Sequence, residues 1–172
     1  MKLPKTITHE RKLVDCDDAL DGFLAQAHML GDKLAVLLVQ LPPKLAFDEA
    51  TAAGFFAALA NRSPAAVACE PRHASWFTPL ADAFLSRSTV ARVAADPAIC
   101  DEAGSPGGWL GLSYWRLHGS PVVYRSSYAD RIGVYAAKLR AQAARETWCI
   151  FDNTASSAGA GDALALMHAL EA

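Results

Sequence analysis

Net charge, paired cysteines and long apolar runs are all scarce in this chain of 172 residues. The formal net charge is −2, so the sequence lacks the basic excess with which a general nucleic-acid coat neutralises phosphates. A local basic site remains compatible with that balance. The four cysteines, Cys16, Cys69, Cys100 and Cys149, form no Cys-x-x-Cys pair. Cys69 and Cys149 lie in apolar, strand-like runs, which suits reduced, buried thiols better than a disulfide framework. No apolar stretch reaches the ~18 residues of a membrane span. The start, MKLPKTITHERK, has no apolar core of a signal peptide. The cytoplasm is the expected location, with no membrane partner.

Several chemical signatures are also missing. There is no glycine–lysine phosphate loop and no Gly-x-Ser-x-Gly elbow. Gly159-Ala160-Gly161 lacks the spacing of a dinucleotide fingerprint. There is no His-Glu-x-x-His motif among the five histidines. Glu70, His73, Asp96, His118 and Asp152 are of metal-ligand type, but Arg72 and Arg116 lie among them and favour an anion over a cation. No metal and no cofactor are predicted.

What the sequence does contain is apolar content for a real core: 52% hydrophobic and 20% charged residues. The length suits one domain over 1–172. A unit of apolar run, polar tip and helix-like pattern recurs. LAVLLVQ (34–40), PAAVACE (64–70), TVARVAAD (89–96), WLGLSYWRLHG (109–119) and TWCIFDNT (147–154) read as strands. KLPKTITH reads as the remnant of a further one. Helices are expected over 15–31 with Asp15 or Asp17 as cap and Gly31 as terminator, over 48–62 capped by Asp48, and over 79–88, 128–146 and 158–172. Residues 97–108, with two prolines and three glycines, read as a loop. Strands alternating with helices predict a parallel α/β fold. A full eightfold β/α barrel needs about 250 residues, so five strands and a remnant predict a partial TIM-type β/α barrel or a smaller open sheet.

In such folds the site lies at the carboxyl ends of the strands. The polar residues fall there: Gln40; Glu70, Arg72 and His73; Asp96; Arg116 and His118; Asp152 and Asn153. Alternation puts Glu70 and Arg72 on one face, and Arg116 and His118 on another shared face, opposite Trp115 and Leu117. Glu70 is expected to pair with Arg72 or Arg116, because buried charge must be paired. Each residue also has a structural reading: Glu70–Arg72 as a pair closing the barrel mouth, His73 as a helix cap, His118 as a satisfied core histidine, Asp96 as a turn residue before Pro97, and Asp152–Thr154 as turn and cap chemistry. Trp76 and Phe77 read as packing residues.

These stretches together carry a resemblance. LGDKLAVLLVQLPP, CEPRHASW, YWRLHGS, YRSSYAD and IFDNTASSAGAGDALAL, with the ITH of residues 7–9, resemble the YecE-like family, domain of unknown function 72, across nearly the whole chain. The resemblance implies a β/α barrel with these motifs at its mouth. It also implies that Gln40, Glu70, Arg72, His73, Ser75, Trp76, Arg116, His118, Gly119, Tyr124, Asp152 and Asn153 are the family's characteristic positions. Family members begin with a strand carrying Gly-x-x-Gly-Trp, and a later strand carries a glutamate, an asparagine and a Phe-Tyr pair. Neither is present, so the resemblance is to a member lacking roughly the first quarter to third of a barrel.

Three functions are compatible with these residues. In the first, Arg72 and Arg116 hold a phosphate or carboxylate, Glu70 and His118 serve as acid and base, and the reaction is phosphoester hydrolysis. Gln40, His73, Tyr124, Asp152 and Asn153 would line that ligand site. In the second, Tyr124, Trp76 and the arginines bind a nucleotide or single-stranded nucleic acid without chemistry. In the third, the groups only lock an inactive fragment. Dimerisation through an open barrel edge is a further expectation, since unpaired edges seek partners.

Overall fold

The computed structural model describes residues 1–171. Its strands are β1 (Val36–Gln40), β2 (Ala66–Glu70), β3 (Val90–Arg92), β4 (Ala94–Asp96), β5 (Gly107–Gly108), β6 (Leu112–Leu117) and β7 (Glu146–Phe151). Its helices are α1 (Asp17–Ala27), α2 (Glu49–Ala60), α3 (Pro79–Arg87), α4 (Ile132–Arg140) and α5 (Ala158–Glu171). The fold is mixed α/β with largely parallel sheets. The strands form two sheets, and no closed barrel is formed among the described residues. The chain divides into two compact units, Met1–Arg92 with Gly107–Trp109, and Val93–Pro106 with the residues from Leu110 onward.

The first unit holds the sheet β1-β2-β3-β5. β1, β2 and β3 are parallel, and the short β5 runs antiparallel to β3. The apolar runs dictate this: β1 is buried at every position but its last. Of the expected strand remnant only one parallel bridge, between Lys2 and Leu38, is formed, and Thr6–Glu10 is helical instead. Leu3 N donates to Leu38 O at 2.9 Å and Leu38 N to Met1 O at 2.8 Å, so the first residues shield the outer edge of β1. α2 begins where expected: the Asp48 carboxylate accepts Thr51 N at 2.8 Å, and hydrogen bonding from Thr51, its side chain first and then its backbone, holds the Asp48 pKa below the usual value. Phe55, Phe56 and Leu59 are its buried residues, with Ala52. Thr78 caps α3 through Ala81 N at 3.3 Å.

α1 departs from the sequence expectation. It starts at Asp17, and Cys16 occupies the cap position without a side-chain bond. Asp15 lies outside the helix at φ +48°. The acidic side chains are drawn elsewhere: Asp18 to Arg11, and Asp17 to Arg62 at 2.8 Å. The helical path then tightens into a 3₁₀ segment, His28–Lys33, which turns at Gly31.

The second unit holds the all-parallel sheet β4-β6-β7. Its central strand β6 is buried at every position. Trp115 and Leu117 pack with Tyr128, Tyr135, Ala136 and Leu166 in one apolar cluster. The run 89–96, read as one strand, is two strands parted at Val93: β3 pairs with β2, whereas β4 pairs with β6. No Gly or Pro marks that break; partner choice makes it. α4 is shorter than the pattern 128–146 suggested. Tyr128 and Arg131 are diverted into tertiary bonds to Asp96, and β7 claims Glu146 by pairing with Leu112. No helix among the described residues is long and apolar enough to cross a membrane.

Burial sets the thiol chemistry. Cys69 is wholly buried, and burial first, then the Glu70 charge, pushes its pKa far up. Burial pushes the Cys149 thiol up to about 12. At pH 8 the thiolate fraction of Cys149 is then on the order of one in ten thousand. In a disulfide-exchange assay at pH 8, Cys69 and Cys149 are expected to stay unmodified in the folded chain and to react once urea unfolds it. Fast labelling of either under native conditions would contradict the packing of β2 and β7.

Candidate functional site

The polar tips of the first unit sit at the ends of β1 and β2, whose register places Gln40 beside Glu70. Glu70 is 1% exposed. Its Oε1 accepts Arg72 Nη2 at 2.5 Å, as alternation anticipated for two residues on one face. A buried carboxylate needs such a cation. His73 serves the local fold: it caps the 3₁₀ turn Ala74–Phe77, its Nδ1 accepting Ser75 N at 3.2 Å. The same nitrogen lies 2.9 Å from Ser75 Oγ, which in turn accepts Phe47 N at 2.7 Å. Trp76 is 1% exposed, donates Nε1 to Leu45 O at 3.0 Å, and meets Phe47 edge-on at 4.9 Å. His73, Ser75 and Trp76 therefore fasten the β2 tip to the segment that leads into α2.

In the second unit β6 ends in Arg116-Leu117 and runs into His118, and β7 runs into Asp152-Asn153. The register Leu117↔Phe151 brings these ends side by side. One carboxylate oxygen serves both basic groups: Asp152 Oδ2 accepts Arg116 Nη2 at 2.6 Å and lies 3.0 Å from His118 Nδ1. Arg116 and His118 are buried, whereas a third of the Asp152 side chain reaches solvent. Arg116 thus takes Asp152 as a partner. Tyr124 stands edge-on to the His118 ring at 6.0 Å, and Tyr124 N donates to His118 O at 2.5 Å.

Asn153 is fully buried and braces the neighbouring loop, with Nδ2 donating to Ser126 O at 3.0 Å and to Asp162 Oδ2 at 2.7 Å. Gly119 turns the chain at φ +94°, where an added Cβ would meet three backbone atoms of Val122 and Ser126 at 3.0–3.2 Å. Its N–H donates to Tyr128 Oη at 2.8 Å, and that hydroxyl donates onward to Asp96 O at 3.1 Å. Burial first, then the bond at Asp96, raises the Tyr128 pKa far above its usual value, so the hydroxyl stays a donor. Asp96 pairs with Arg131 at 3.1 Å. Two residues that sequence reasoning passed over, Asp162 and Arg131, carry much of this scaffold. Asp162 lies on α5 four residues before the buried Leu166, a spacing that marks the inner face of a helix. Among the described residues, no group of three or more His, Cys, Asp or Glu could hold a metal ion.

The family model for a protein of unknown function, DUF72, matches residues 1–172. The chain belongs to the DUF72 family. A DUF72 protein from Thermotoga maritima, solved by crystallography, superposes with TM-score 0.80 at 21% identity, covering 99% of this chain and 72% of that one. A DUF72 protein from Enterococcus faecalis superposes in one crystal structure with TM-score 0.78 at 20% identity, over 100% of this chain and 77% of the other. In a second its TM-score is 0.73 at 18% identity, over 92% and 67%. At these identities the likeness is one of fold. No curated protein matches the chain.

Proposed function

We propose that this DUF72 chain binds a phosphate-containing anion at the carboxyl ends of its parallel strands and hydrolyses a phosphoester there. The observation that carries the reading is the carboxylate oxygen of Asp152 shared by Arg116 and His118. An ionised carboxylate can only accept hydrogen bonds. In this reading His118 Nδ1 donates to Asp152 Oδ2, and Nε2 serves as the general base. In the reaction Nε2 accepts a proton from water as the water oxygen bonds to phosphorus. The phosphorus–oxygen bond to the leaving group breaks, and the Nε2 proton passes to the departing oxygen. Arg116 offsets the charge gathering on the phosphoryl oxygens. In the first unit Glu70, with Arg72 beside it, is the candidate acid–base group at its own strand ends, next to Gln40. His73 is the weaker ligand candidate, given its capping bonds.

The test is turnover of bis(p-nitrophenyl) phosphate by the whole chain. His118→Ala is expected to lower kcat by about 10²–10⁴-fold, the usual worth of general acid–base catalysis, and Glu70→Gln probes the first unit in the same assay. Wild-type turnover in both variants would overturn the assignment. No turnover by the wild-type chain, together with no binding of inorganic phosphate, would overturn the reading itself. Binding without chemistry is the second reading, and the half-exposed Tyr124 beside His118 favours it; a nucleotide or single strand stacked there would bind with steep salt dependence. A partial β/α barrel belongs to the same proposal, supported by the successive parallel strand–helix units. So does pairing through an open edge, supported by β7 ending its sheet with its side chains half-buried or exposed.

A further inference from the structure

We infer that residues 119–128 form a preformed recognition arm, with Tyr124 as its contact residue and Asp162 as the residue that positions it. The ligand it suits is a phosphate ester bearing an aromatic or apolar group; this rests on the anion-binding reading above.

The tip of the arm is three consecutive large apolar residues left open: Val122 is 53% exposed, Val123 43% and Tyr124 48%. A single exposed apolar side chain is ordinary, but a contiguous set marks a place where something apolar docks. The set adjoins the Arg116–Asp152–His118 cluster, because Tyr124 meets the His118 ring edge-on. An anion held at the cluster would therefore present its substituent to this tip.

The arm is fastened along its length. At its root Gly119 N is held by Tyr128 Oη. At its tip Val122 N donates to Ser126 Oγ at 3.0 Å, and Ala155 N donates to Tyr124 O at 3.0 Å. Tyr124 keeps a left-handed backbone, φ +65°, which a non-glycine residue holds only where its surroundings enforce it. The far end is gathered by one buried carboxylate. Asp162, 4% exposed, accepts Ser127 Oγ at 2.6 Å, Tyr128 N at 2.9 Å and Asn153 Nδ2 at 2.7 Å. The same Asn153 amide holds Ser126 O. The hydrogen bonds of Asp162 go to Ser127, Tyr128 and Asn153 rather than to Arg116, His118 or Asp152. It acts through the arm, by fixing Tyr124 against His118. An exposed apolar tip that is already ordered loses little freedom when a ligand docks, which is the condition for using it in recognition.

The experiment compares phenyl phosphate with inorganic phosphate by calorimetry, and follows the His118 Hε1 signal by NMR. Phenyl phosphate is expected to bind about tenfold more tightly, the worth of one aromatic contact with partial burial. Tyr124→Ala should collapse that ratio to about one. Asp162→Asn should also collapse it, and should move the His118 Hε1 resonance as Tyr124→Ala does, because the ring current of Tyr124 is lost in both. If Asp162→Asn fails to fold, Ser127→Ala, which removes one of the three donors, should give the same changes in smaller measure. Equal affinities for the two probes in the wild type would overturn the arm while leaving anion binding standing. Binding of neither probe would overturn both. A folded Asp162→Asn chain, or Ser127→Ala in its place, with the wild-type affinity ratio and His118 signal would overturn the positioning role.

Discussion

Trp76→Ala is expected to destabilise the first unit by about 3–5 kcal/mol, the usual cost of deleting a large buried aromatic side chain. Urea unfolding followed by far-UV circular dichroism measures it. Three losses add. The ring is 1% exposed, so its transfer contribution disappears and a void replaces it. The edge-on contact with Phe47 at 4.9 Å goes. Leu45 O loses the indole donor at 3.0 Å. The site also borders an apolar cleft of about 230 Å³ lined by Leu13, Val14, Leu45 and Ala52, so the new void can join the cleft and admit water. Trp76→Phe keeps most of the volume and should cost about 1–2 kcal/mol, chiefly the indole bond. A loss below about 1 kcal/mol for Trp76→Ala would mean that this ring does not pin the segment before α2.

Gly108→Ala is expected to cost about 3 kcal/mol in the same assay, for a reason unrelated to hydrophobic burial. Gly108 has φ +62°, and a Cβ there would stand 2.6 Å from Val90 O and 2.9 Å from Leu85 Cβ. The left-handed backbone alone costs an L-residue about 1–2 kcal/mol. The overlap adds roughly 1–3 kcal/mol, because the obstacles are a strand backbone and the root of a core side chain. Relief by shifting the chain would pull Gly108 N from Asp82 Oδ1, now at 2.9 Å, and Asp82 is also the partner of Arg92 Nε at 3.0 Å. Gly54 gives the opposite sign. It lies inside α2 with nothing within 4 Å of an added Cβ, so Gly54→Ala should stabilise by about 0.5–1 kcal/mol through helix propensity. Equal effects at the two positions would show that the β3–β5 pairing is looser than described.

The sequence made the repeating units legible because burial leaves a periodic trace. LAVLLVQ and PAAVACE read as covered strands, and Asp48 before an apolar helical pattern read as a helix start. The Glu70–Arg72 pair was readable too, since its members lie two residues apart on one strand. The same logic failed where tertiary partners decide. Nothing local in TVARVAAD says that its halves join different sheets. Nothing local in YADRIGVYAAKLRAQAARE says that Tyr128 and Arg131 will turn to Asp96. The partnership of Arg116 with Asp152 spans 36 residues and depends on the β6–β7 register, which no single-strand pattern encodes. Asp162 looked like one more polar residue of a terminal helix; only its spacing from Leu166 hinted otherwise.

The register of β6 and β7 also governs how this chain can change over generations. It runs unbroken from Leu112↔Glu146 to Leu117↔Phe151, and Arg116 and His118 owe their side of the sheet to an odd–even alternation. Their placement is thus a matter of parity. Deleting Tyr114 would turn the guanidinium and imidazole toward the Tyr128–Tyr135 cluster and swing the Trp115 indole to the other face. Deleting two would restore the sides but shift the basic groups by about 7 Å along the strand, away from Asp152. Length variation in descendants of this sequence should therefore gather in the connections, such as 97–106 and 141–145, while the strands keep their count.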